Sequence, residues 1–98
     1  MDLEALRTEI DAIDDEMLEL FLKRMDVSAR IADYKKENNI PTLRKGRERE
    51  ILKKVSDRSG PELAGYSRML FGSLMDLSKS SQNRRNAGTG GELAGRIR

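Results

Sequence analysis

The 98-residue chain has no cysteine and no histidine. No disulfide staples it, so its stability is expected to come from helix packing and association. The same two absences remove the commonest zinc ligands, the thiol nucleophile and the usual general base. No run approaches the roughly 20 apolar residues that a membrane-spanning helix needs. The first residues, Met1-Asp2-Leu3-Glu4, lack the basic and apolar regions of a signal peptide. A cytoplasmic protein without a membrane segment is expected. Aromatics are scarce, and Phe21, Tyr34, Tyr66 and Phe71 all fall on or near apolar helix faces.

The charge balance is less basic than the pI of 9.1 suggests. Residues 83–98 hold Arg84, Arg85, Arg96 and Arg98 against Glu92, a net of +3 within a chain total of +2. Residues 1–82 are therefore at −1. A nucleic-acid binder wants a basic face and often stacking aromatics, and the body of this chain offers neither.

What the chain has is helical periodicity. Neither glycine nor proline occurs before Pro41. Leu3, Leu6, Ile10, Ile13, Met17, Leu20, Val27, Ile31 and Tyr34 recur at alternating spacings of three and four, apart from one gap. That is the seam of one amphipathic helix from about residue 3 to about 38, with Asp2 as N-cap. About 36 residues would make a rod of roughly 54 Å. A compact domain of this size has a radius of gyration of only about 13 Å. Something must cover the seam, and a second copy of the chain is the simplest candidate.

Residues 40–46, with Pro41 and Gly46, read as a linker. A second helix is expected over about 46–58, with Ile51, Leu52 and Val55 inward. Ser59-Gly60-Pro61 breaks it. A third is expected over about 62–83, with Leu63, Tyr66, Leu70, Leu74 and Leu77 on one face and Phe71 and Met75 beside it. Residues 83–98 contain Gly88, Gly90, Gly91 and Gly95 and read as a Gly/Arg-rich tail or linker. The fold class is all-α, with one long, one short and one medium helix. The domain is residues 1–82.

The gap in the seam is Arg24, where an apolar residue belongs. A guanidinium there is costly unless an anion meets it. It is a register device, a side chain that snorkels to water, half of a structural ion pair, or a ligand-binding group. Arg7, Ser28 and Lys35 flank the seam, so Arg24, Ser28, Ile31 and Lys35 share a face. Arg24 and Lys35 are about three turns apart, roughly 16 Å along the rod, and their long side chains can converge on one small anion. Arg7 is roughly 25 Å from Arg24. In an antiparallel pair, Arg7 of one chain would approach Arg24 and Lys35 of the other. Arg47-Glu48-Arg49-Glu50 opens the second helix, where a charged exposed face is the default. Ser78 and Gln82 lie one turn apart near the end of the third. Together these groups suit a small dianion with an uncharged polar centre.

The segment Leu6-Arg7-Thr8-Glu9-Ile10-Asp11-Ala12-Ile13-Asp14 resembles the opening motif of the all-helical (AroQ-type) chorismate mutases. Lys23-Arg24, Ile31-Ala32-Asp33-Tyr34-Lys35, Pro41, Arg47-Glu48-Arg49-Glu50-Ile51-Leu52, and Ser78 with Gln82 continue the likeness over roughly residues 3–82. The resemblance implies an intertwined helical homodimer with two sites, each built from both chains. It implies that Arg24 and Arg47 bind substrate carboxylates and that Arg7 reaches a carboxylate from the other protomer. Lys35 and Gln82 would hydrogen-bond the ether oxygen whose bond to carbon breaks. Glu48 would bind the ring hydroxyl, and Ser78 would support the carboxylate region. Many relatives carry an acid three residues before the Arg-Glu pair, where this chain has Arg44. Either Glu48 serves the hydroxyl alone or the linker is shifted in register, and Arg44 is left out of the site.

The implied reaction is the unimolecular rearrangement of chorismate to prephenate in phenylalanine and tyrosine biosynthesis. It needs no nucleophile, metal or cofactor. Catalysis would rest on holding a reactive conformer and on donors at the ether oxygen, each supplying about 3 kcal/mol. Competing expectations are an isochorismate-pyruvate lyase of the same fold and a non-catalytic helical dimerisation module. Modules of this type are often fused to prephenate-processing domains. The tail is then a linker to such a domain, a native end or an added segment.

Overall fold

The computed structural model describes residues 2–41 and 45–87. Arg44, and the glycines assigned to the tail, lie outside the described residues. Three helices follow one another: α1 (Leu3–Glu37), α2 (Lys45–Ser59) and α3 (Ala64–Ala87). The described residues contain no strand.

The ends of α1 are set by local chemistry. The Asp2 carboxylate accepts the Ala5 N–H at 2.8 Å, as an N-cap should. At the other end Asn39 turns left-handed, with φ of 57°. The Ile40 N–H then donates to the Lys35 carbonyl at 2.8 Å, and Asn39 N–H to Lys36 at 3.4 Å. That pairing is a Schellman closure, and asparagine tolerates the left-handed position. Gly60, with φ of 81°, ends α2 in the same backbone region, where a Cβ would be strained. Pro61, Glu62 and Leu63 form the turn into α3.

Two boundaries differ from the sequence expectation. α3 begins at Ala64 instead of about residue 62, because Pro61–Leu63 are spent on the turn. It continues to Ala87, so residues 84–87 of the expected tail are helical. Nothing between Asn83 and Ala87 breaks a helix, and the first glycine comes after it.

α2 packs chiefly on α3, and α1 meets α3 over a shorter stretch. Arg68 donates to the Ser56 hydroxyl at 2.7 Å, and Ser59 donates to Ser67, which pins α2 to α3. The long dimension is 53 Å, the length of α1, and the radius of gyration is 17.0 Å. A compact chain of this size would have about 13 Å.

The core of the single chain is correspondingly thin. Only Ala32 and Met75 are buried apolar residues among those described. The seam of α1 lies open: Leu3, Leu6, Ile10, Ile13 and Met17 are exposed, and Leu20 is 62% exposed. So are Leu63 in the turn before α3 and the Tyr66, Leu70 and Leu77 line of α3, leaving Phe71, Leu74 and Met75 as the sheltered side. A continuous apolar surface of this extent marks an interaction face.

Candidate active site

Arg24 decides where to look. It makes no ion pair with any described carboxylate. Its Nη1 donates instead to Ser78 Oγ, a neutral hydroxyl, at 3.1 Å. Ser78 is only 7% exposed, although a serine on a helix is usually solvated. The seam charge is thus held by a hydroxyl and is not neutralised by any described carboxylate.

Arg24 opens onto a cavity of about 290 Å³ between the three helices. α1 contributes Arg24, Ser28 and Lys35, α2 contributes Arg47 and Glu48, and α3 contributes Ser78, Lys79 and Gln82. Val27, Ile31, Ile51 and Met75 supply apolar walls. The shared face of Arg24, Ser28, Ile31 and Lys35, legible from spacing, is the wall formed by α1.

Hydrogen bonds fix two of the polar groups. Gln82 Nε2 donates to Ser28 Oγ at 3.0 Å. Its second contact, with the Ser28 carbonyl, is long at 3.5 Å. The amide is therefore oriented across α1 and α3 while one N–H stays only weakly engaged. Arg47 lines the cavity from an exposed position and pairs with Glu50 at 3.5 Å. Such a surface pair contributes little and exchanges easily for a ligand.

Six of the seven residues singled out from sequence meet in this cavity: Arg24, Lys35, Arg47, Glu48, Ser78 and Gln82. Arg7 does not. It lies far along α1 and pairs with Glu4 at 3.4 Å on the exposed surface.

Two polar lining residues were not placed in the site from sequence. Ser28 was on the right face but unassigned. Lys79 was missed altogether, and its Nζ lies 3.0 Å from the Glu48 carboxylate. The hydrogen bond to Glu48 chiefly holds Lys79 above the ordinary lysine pKa of 10.5, against a smaller opposing effect of desolvation. Its position one residue past Ser78 and three before Gln82 was the available signal.

A family model for chorismate mutase type II matches residues 6–83. The chain belongs to that family. Two curated relatives agree. A bifunctional chorismate mutase/prephenate dehydratase from Aquifex aeolicus is 43% identical over 54 residues, covering 55% of this chain and 15% of the relative. A 4-amino-4-deoxychorismate mutase from Streptomyces venezuelae is 39% identical over 65 residues, covering 66% of this chain and 59% of the relative. The chain thus spans only part of each relative's length. No solved structure matches the chain significantly. The family match contains all seven candidate residues, Arg7 included. No helix among the described residues is long and apolar enough to cross a membrane.

Proposed function

We propose that the chain catalyses the rearrangement of chorismate to prephenate. The observation that carries this is the uncompensated Arg24, facing a cavity of ligand size beside Lys35 and Arg47. Four cationic side chains and one carboxylate around an apolar-walled cavity suit a dianion. Chorismate is one, with an uncharged ether link between its two anionic halves. Arg24 and Arg47 hold carboxylates and fold the substrate into a reactive conformer. As the carbon–oxygen bond breaks and the carbon–carbon bond forms, negative charge grows on the ether oxygen. Lys35 and the weakly engaged N–H of Gln82 stabilise it there. Glu48 accepts a hydrogen bond from the ring hydroxyl, and Ser78 keeps Arg24 in place.

The second half of the proposal is a homodimer with interlocked α1 helices. The open seam of α1 and the open line on α3 support it. In that dimer Arg7 of one chain exchanges Glu4 for a substrate carboxylate in its twin. Residues 1–82 are the catalytic domain, working in the cytoplasm within aromatic amino-acid biosynthesis. Residues 83–98 are a tail or linker, and fusion to or association with a prephenate-processing domain is in line with the name of the Aquifex relative. Chorismate, not the amino compound named for the Streptomyces relative, is the substrate proposed, in line with the family description.

Incubation of the purified chain with chorismate and, separately, with isochorismate, followed by NMR, tests the proposal. Prephenate is expected as the sole product. Unchanged chorismate would overturn the assignment. So would salicylate and pyruvate formed from isochorismate at a rate above any mutase rate.

A further inference from the structure

The Glu48–Lys79 pair is unlike the other ion pairs named here. Arg7–Glu4, Arg30–Asp26, Arg47–Glu50 and Lys53–Asp57 each join residues three or four apart on one exposed helix face. Lys79–Glu48 crosses from α3 to α2 at 3.0 Å, with side chains only 38% and 29% exposed. Both residues line the cavity. A second carboxylate, Asp76, lies 3.7 Å from Lys79, but it is 79% exposed and water screens it.

We infer that Lys79 selects the charge of the substituent at the ring end of the substrate, admitting a neutral hydroxyl and disfavouring an ammonium. This rests on the assignment of Glu48 to that substituent. A lone carboxylate would favour an ammonium over a hydroxyl, because a charge-assisted contact is the stronger. Here the Glu48 charge is already met by Lys79. A carboxylate has about four lone-pair sites on two oxygens, so it still accepts a hydroxyl hydrogen bond while Lys79 holds it. An ammonium at the same carbon would instead lie beside the Lys79 ammonium. The cavity lining is already rich in cations, so a further positive charge beside Lys79 is disfavoured. Lys79 acts through Glu48 and is a specificity-determining, positioning residue.

The pair of substrates that reads this out is chorismate and 4-amino-4-deoxychorismate, measured with the intact chain. The wild type is expected to prefer chorismate in kcat/KM. Lys79→Gln should raise the amino-to-hydroxy ratio of kcat/KM by about tenfold or more. Lys79→Arg, which keeps the charge, should restore the preference for chorismate. Three results would overturn the inference alone: a wild type that prefers the amino compound, an unchanged ratio in Lys79→Gln, or an equal loss for both substrates. The last would mean that Lys79 binds a carboxylate common to both. A wild type that turns over neither substrate would overturn the mutase assignment as well.

Discussion

Arg24→Ala should lower kcat/KM for chorismate by about 10²–10³-fold and leave the helical fold intact. The expectation follows from what Arg24 touches. Its one described hydrogen bond goes to Ser78, and no described carboxylate neutralises it. Removing it strands no buried anion. The Ser78 hydroxyl can turn back to a carbonyl of its own helix, four residues earlier. The loss therefore falls on ligand binding, with little cost to stability. A guanidinium that only set helix register would differ in its effect on turnover. Its replacement would keep or raise stability and leave turnover where it was. Steady-state kinetics beside a thermal melt by circular dichroism separates the two.

Ile13→Glu should abolish the dimer, and with it turnover. Ile13 sits mid-seam and is 52% exposed in the single chain, between Ile10 and Met17 on the open face. In a twofold dimer each substitution occurs twice. Two glutamates would then be desolvated in an apolar interface, at several kcal/mol each unless paired. The monomer left behind has little to fall back on, since Ala32 and Met75 are the buried apolar residues described. Sedimentation should show loss of the dimer, the melting transition should broaden and fall, and chorismate consumption should drop to background. A fully active monomer would refute the interlocked arrangement.

Much of this is legible in the amino-acid sequence. The three–four seam and the freedom from glycine and proline dictate a helix too long for a compact monomer, and α1 is that helix. Pro41 and Ser59-Gly60-Pro61 mark the breaks. The end of α3 was not readable, because apolar period reports a buried face. The stretch Arg84–Ala87 is helical although its sequence continues no apolar period. Six site residues could be grouped because α1 displays Arg24, Ser28 and Lys35 at helical intervals and the family likeness supplies the rest. Lys79 escaped because a lysine beside Asp76 on a polar helix face is usually solvated. Only the packing of α3 on α2 brings it to Glu48. The burial of Ser78 escaped for a related reason: its partner, Arg24, is 54 residues away in the chain.

The central claim is that a site centred on Arg24 is completed by Arg7 from a second chain. It is tested by mixing two inactive variants. Arg7→Ala and Arg24→Ala, each nearly inactive alone, are unfolded together and refolded. A mixed dimer then carries both lesions in one site and none in the other. Statistical exchange should restore about a quarter of wild-type turnover. A mixture no more active than its two components, or an Arg7→Ala protein that is fully active alone, would contradict the account.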